Sequence, residues 1–261
     1  MMEVSTVVVI SDTHVGKKTK SYNVEVFRQR MGKLLKEILD FKNEINKAYK
    51  MPDIHLFLLG DMIDGEAIYG GQGYNTDLNI DEAIDVFIDT FDWFVEGLLD
   101  RYRKVDIHCV YGNHGRANRK GVTNWELMLY KRLRDIYRHN RNVDVHVGDW
   151  YQVVSIRGWK YLLIHGDQVY MYRNIPMYGI IQKAMRWYSG GIDEQFDVVV
   201  LGHFHTFARL EWNNISILIN GTMVTDDDYV AKMGLKSQTK FWMFGVSRNN
   251  KMLWAHDIEV D

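Results

Sequence analysis

An α/β architecture, with parallel strands joined by crossover helices, is expected from the first half of this chain. Two features carry it. Short apolar, β-branched runs alternate with long segments of helical apolar spacing, and each run ends in a polar or glycine turn that leads on to the next helix.

Taken in order, Val7–Ser11 reads as a buried strand. Val24–Tyr49 reads as a helix, with Phe27, Met31, Leu34, Leu35, Ile38, Phe41 and Ile45 at helical spacing. Leu56–Leu59 is a second strand and Asp81–Tyr102 a second helix, its apolar side formed by Ile84, Phe87, Ile88, Phe91, Val95 and Leu98. Ile107–Tyr111 and Asn124–His139 complete a βαβαβα series. Beyond Gly148 the pattern changes to short strands at Val143–Val147, Tyr151–Ile156, Tyr161–Ile164 and Val198–Leu201. Asn213-Asn214 and Asn249-Asn250 read as hairpin turns joining Ala208–Trp212 to Ile215–Asn220 and Phe241–Ser247 to Leu253–Val260. Both halves supply polar strand ends, so residues 1–261 are expected to form a single domain.

Composition narrows the class. Hydrophobic residues make up 46% and charged residues 25% of the 261, an ordinary balance for a water-soluble globular protein. No apolar stretch approaches the ~18 residues a membrane span needs, and the start of the chain does not read as a signal peptide. The one cysteine, Cys109, excludes an intramolecular disulfide and fits the cytoplasm.

The informative residues stand where the apolar strands end. Val7–Ser11 runs into Asp12-Thr13-His14, and Leu56–Leu59 into Gly60-Asp61-Met62-Ile63-Asp64. Ile107–Tyr111 runs into Gly112-Asn113-His114, Tyr161–Ile164 into His165-Gly166-Asp167, and Val198–Leu201 into Gly202-His203-Phe204-His205. In open α/β sheets, ligands bind beyond the carboxyl ends of the strands. Five strands therefore deliver carboxylate, imidazole and amide donors to one edge. Such donors suit borderline-hard divalent metals, and the absence of thiolates argues against a structural zinc knot. One such motif alone is commonplace; five in order, each after a buried strand, are not.

This set resembles the calcineurin-like metallophosphoesterase superfamily, whose motifs read D-x-H, G-D-x-x-D, G-N-H-D/E, H and G-H-x-H. Within it, the chain is most similar to the nuclease branch that includes Mre11 and SbcD and to phage-encoded phosphoesterases. The resemblance implies a four-layer αββα sandwich with two mixed β-sheets. It implies two divalent ions, manganese favoured over iron, zinc, magnesium, nickel or cobalt. One would be held by Asp12, His14, Asp61 and His205, the other by Asn113, His165 and His203, with Asp61 bridging. It implies hydrolysis by in-line attack of a metal-activated water, with His114 over the site to contact the phosphate or protonate the leaving oxygen. One position departs from the pattern: Gly115 stands where the family carries an acid. Asp64 and Asp167 are the carboxylates whose motif positions suit a substitute, and an acid restored at 115 is expected to be tolerated.

For the substrate, residues 101–141 hold eleven Lys or Arg against Asp106, Glu126 and Asp135. Arg116, Arg119 and Lys120 directly follow His114 and suit a phosphodiester backbone, whereas Lys131, Arg134, Arg138 and Arg141 equally read as a solvated helix face. Tyr69 and Tyr74 lie in the loop after Asp64. Tyr170, Tyr172, Arg173, Tyr178, Trp187 and Tyr188 lie beyond His165, where they could stack bases, bury a helix or form a homodimer contact. The expectation is a phosphodiesterase acting on nucleic acid, a nuclease. The alternatives are a phosphomonoesterase and, from another class, a non-catalytic scaffold on the same fold.

Overall fold

The computed structural model describes residues 1–66, 68, 75–118, 123–173, 175–227 and 236–261. Its elements, in chain order, are β1 (Met2–Glu3), β2 (Ser5–Ile10), α1 (Val24–Ile45), β3 (Tyr49–Lys50), β4 (Asp53–Leu58), α2 (Ile80–Leu99), β5 (Lys104–Cys109), α3 (Trp125–Tyr137), β6 (Val143–Val147), β7 (Tyr151–Ile156), β8 (Trp159–Ile164), α4 (Met177–Arg186), β9 (Val198–Leu201), β10 (Ala208–Trp212), β11 (Ile215–Ile219), β12 (Lys240–Ser247) and β13 (Asn250–Glu259).

Two mixed sheets dominate. The first has the order β13-β12-β2-β4-β5-β6, with β2, β4, β5 and β6 parallel and β12 antiparallel to β2. The second has the order β10-β11-β9-β8-β7, with β8, β9 and β11 parallel. Alternation along each strand assigns its side chains to two faces. Val8, Ile10, Leu56, Leu58, Ile107 and Cys109 meet Phe27, Leu34, Phe87, Phe91 and Leu129 of α1–α3 on one side. Val7, Val9, Phe57 and Val110 meet Tyr161, Leu163, Val198 and Val200 between the sheets. Leu162, Ile164, Val199 and Leu201 meet Ile180 and Ala184 of α4 on the far side. Three cores between four layers give the αββα sandwich.

The helices begin where capping chemistry places them. Asn23 and Asn124 each accept a backbone N–H of their helix, and Asn79 with Glu82 forms a capping box at the start of α2. Helices α1 and α2 end at Asn46 and Asp100, short of the expected Tyr49 and Tyr102. Tyr49 pairs instead in β3, and Tyr102 turns back into the core. Helix α4 lies in the aromatic segment after His165, where Pro176 stands at its start. Among the described residues no helix is long and apolar enough to cross a membrane.

Candidate metal centre

Five turns meet at the carboxyl ends of β2, β4, β5, β8 and β9, and backbone hydrogen bonds lace them together. Asp12 N–H donates to the Gly60 carbonyl (3.1 Å), His14 N–H to the Asp61 carbonyl (2.9 Å) and Gly202 N–H to the His165 carbonyl (2.9 Å). His114 N–H donates to Asp61 Oδ1 (2.8 Å), and His203 N–H to Asp12 Oδ2 (3.0 Å). The turns are also pressed close. A Cβ on Gly202 would stand 2.4 Å from Asp12 Oδ2, and one on Gly60, itself at φ +84°, 2.4 Å from the Gly112 nitrogen. Only glycine fits at either place.

The expected donors converge in two groups. Asp12, His14 and His205 form one, and Asp61, His165 and His203 the other. In the first, His205 Nε2 is 3.4 Å from Asp12 Oδ1 and 3.3 Å from His14 Nε2. In the second, His165 Nε2 is 3.0 Å from Asp61 Oδ2, 3.0 Å from Asn113 Oδ1 and 3.1 Å from His203 Nδ1. Asp61 Oδ2 is also 4.0 Å from His14 Nε2, so this carboxylate lies between the groups.

These separations fit divalent ions. Two donors at about 2.1 Å from one ion, set 90–109° apart, stand about 3.0–3.4 Å from each other. The outer hydrogen bonds fix the rings as metal sites require. His165 Nδ1 donates to the Leu59 carbonyl (2.8 Å) and His14 Nδ1 to Asp64 Oδ1 (3.2 Å), leaving each Nε2 to face inward. The electrostatics also call for cations. Burial favours the neutral form of Asp61, yet His165 and His114 hold it well below the usual carboxylate range. Burial opposes a charged His165, but Asp61 outweighs it and pushes the ring up to about 10. Burial and then repulsion by His165 push His203 down to about 3. Two clustered carboxylates thus retain protons on a neighbouring imidazole, a place a metal ion would take.

His114 has the partner it was expected to lack. Its Nδ1 is hydrogen-bonded to Asp64 Oδ1, the oxygen that also receives His14. Burial works against the imidazolium, but Asp61 and Asp64 together raise its pKa above the ordinary histidine value. Asp64 therefore substitutes for the acid absent at 115; Asp167 does not, being 2.5 Å from Arg116 Nη2. An acid at 115 has no room either, because its Cβ would stand 2.5 Å from Asn124 Oδ1 and 2.6 Å from Glu126 Cγ.

The substrate-side residues fare unevenly. Arg116 is half-buried beside the centre, paired with Asp167. Arg173 packs over the Tyr172 ring, centroid distance 5.6 Å, and no described contact carries it to the metal donors. Arg119, Lys120, Tyr69 and Tyr74 lie outside the described residues. Lys131 and Arg134 are on the exposed face of α3, and Arg138 follows its end, also exposed. His55, His108 and His146 stack across β4–β6, away from the centre.

The residue that sequence reasoning missed is Glu126. It is fully buried in the first turn of α3 and accepts backbone N–H groups from Met62 and from Gly112, the latter at 2.6 Å. Burial, then repulsion from Asp61, pushes it up to about 7. An acid in a first helical turn ordinarily serves the helix dipole, so its type and position gave no signal.

The model of the calcineurin-like phosphoesterase family matches residues 5–221. The chain is 21% identical over 238 residues to the SPbeta prophage-derived uncharacterized protein YonJ of Bacillus subtilis, covering 84% of this chain and 55% of that protein. It thus spans about half the length of this relative. Among solved structures it is similar to Vacuolar Protein Sorting 29 from Cryptosporidium parvum (TM-score 0.45, 18% identity, 94% of this chain and 86% of that one). It is also similar to an archaeal phosphodiesterase (TM-score 0.44, 14% identity, 97% and 98%). At such identities and TM-scores these two likenesses carry no functional inference.

Proposed function

Because the chain belongs to the calcineurin-like phosphoesterase family, we propose that it is a nuclease, hydrolysing nucleic-acid phosphodiester bonds with two divalent ions, manganese first among them. Asp12, His14, Asp61 and His205 would hold one ion, and Asp61, Asn113, His165 and His203 the other. The observation that carries this reading is the pair of donor groups joined by Asp61, with His114 seated beside them on Asp64. Divalent ions supply Lewis acidity toward phosphoryl oxygens and acidify water at neutral pH.

The chain's own groups do the rest. Asp64 and the Leu59 carbonyl lock the rings of His14 and His165 with their inward nitrogens unprotonated. His114, kept protonated by Asp61 and Asp64, delivers its proton to the leaving oxygen. Arg116 stands in the turn just beyond His114. Gln168–Gly191 carries Arg173, Lys183 and Arg186 and no acidic residue. It exposes Tyr170, Tyr172 and Tyr178, of which Tyr170 is 87% exposed. Exposed tyrosines among cations suit a polyanion with stackable bases. The free, buried Cys109 accords with a cytoplasmic setting.

The test is an assay of metal-stripped protein with added Mn2+ against bis-p-nitrophenyl phosphate, p-nitrophenyl phosphate and labelled single- and double-stranded DNA. Cleavage of the diester and of DNA is expected. Hydrolysis of the monoester alone would move the assignment to a phosphatase, and no hydrolysis with metal bound would leave a scaffold.

A further inference from the structure

Glu126 contacts none of the seven donor side chains, yet two of the turns that carry them close on it. Met62, whose N–H it accepts, directly follows Asp61; Gly112, whose N–H it accepts at 2.6 Å, directly precedes Asn113. One buried carboxylate therefore ties the turn after β4 to the turn after β5. Those turns touch so closely that a Cβ on Gly112 would stand 2.2 Å from Asp61 Oδ1. The carboxylate is itself anchored. Asn124 caps α3 by accepting the Glu126 N–H (2.9 Å) and donates to the Gly112 carbonyl (2.8 Å). Glu126 Cγ and Asn124 Oδ1 fill the room a side chain at 115 would need, which makes glycine there a consequence of this clamp.

We propose that Glu126 is a positioning residue of the metal centre, setting Asp61 against Asn113 by holding Met62 and Gly112 on its two oxygens. This rests on Asp61 and Asn113 being metal donors. It makes a distinction that packing alone does not. A carboxylate accepts both N–H groups, whereas a glutamine of the same shape accepts one and turns its NH2 toward the other. A buried N–H left facing a donor is strongly unfavourable, and here it would be relieved by moving one turn.

The experiment is Mn2+ titration of metal-free wild type and Glu126→Gln by calorimetry, with circular dichroism of both. Loss of an outer hydrogen bond typically weakens metal binding roughly 10- to 100-fold, and that loss is expected in a variant with the wild-type spectrum. A folded Glu126→Gln variant that binds Mn2+ as tightly as wild type, even with a lowered thermal midpoint, would make Glu126 merely structural and overturn the proposal. Should that variant not fold, amide exchange on metal-free wild type decides. Slow exchange at Met62 and Gly112 is expected, and rates typical of open loops would refute the clamp. A wild type that binds no divalent ion would instead remove the metal reading beneath it.

Discussion

Asp64→Asn tests the acid–base half of the mechanism. Asp64 is almost fully buried, and its Oδ1 receives Nδ1 of both His14 and His114. Burial pushes it toward neutrality, but the hydrogen bonds of the two imidazoles hold it far below the usual carboxylate range. Asparagine keeps the shape and removes the charge. A hydrogen bond to a charged group contributes about 1.5–3 kcal/mol, which at 1.36 kcal/mol per decade is roughly a 10- to 150-fold loss in a step that uses protonated His114. The sign follows from the groups around the ring. Burial lowers the His114 pKa and Asp61 and Asp64 raise it, so removing one carboxylate moves it down. The protonated form then disappears at lower pH, and the alkaline limb of the rate profile shifts acidward. The assay is kcat/KM for bis-p-nitrophenyl phosphate against pH at saturating Mn2+, for wild type, Asp64→Asn, His114→Ala and the double variant. The double variant should be no slower than His114→Ala alone, because the two residues act as a unit. An unshifted alkaline limb in Asp64→Asn, or additive losses, would refute the pairing.

Asp61→Ala should bind less metal than wild type, since its carboxylate lies between both donor groups; unchanged stoichiometry by elemental analysis would remove Asp61 from the centre. With His165 pushed up to about 10 in the metal-free protein, an incoming ion must displace its proton, so Mn2+ affinity should rise about tenfold per pH unit between pH 6 and 8. Calorimetry showing a pH-independent affinity would refute that coupling. Arg116→Ala should flatten the slope of log K for DNA against log salt by about 0.9, the share of one phosphate contact, while leaving bis-p-nitrophenyl phosphate turnover nearly unchanged. An unaltered slope would place the phosphate track elsewhere.

Most of the framework was legible in the sequence because burial and turn chemistry speak locally. The expected bounds of β6, β7, β9 and β10 match those observed, each being an apolar run closed by a turn signal. The helix ends were overrun because Tyr49 and Tyr102 continue the apolar spacing past the caps at Asn46 and Asp100. Helix α4 was hidden by its aromatic content, which obscures the helical period. The seven donors were legible because each stands where an apolar strand must turn. What lay across the fold was not legible: that Asp64 reaches His114, and that Glu126 closes on two turns at once. Both depend on the mutual placement of β4, β5 and α3, which no local pattern encodes. The basic excess of residues 101–141 misled in part, since Lys104 pairs with Asp106 and Asp144, and Lys131 and Arg134 face solvent.

The backbone of the centre carries its own argument for function. Asp12, His14, Asp61, His203 and His205 all adopt left-handed conformations, with φ between 44° and 68°. Asp and His enter that region more readily than most residues, but each instance still costs on the order of 1–2 kcal/mol. Glycine or asparagine would turn the chain at less cost. Five of the seven proposed donors are held this way, on turns whose glycines leave no space for relaxation. A fold with three separate apolar cores can sustain such strain, and strain gathered at one edge marks a functional demand more plausibly than a folding one. The demand is identifiable. In the left-handed region these side chains converge as donor groups at 3.0–3.4 Å spacings. Substituting glycine at any of these positions should therefore relieve local strain and yet remove a donor, separating the stability of the turn from the affinity for metal.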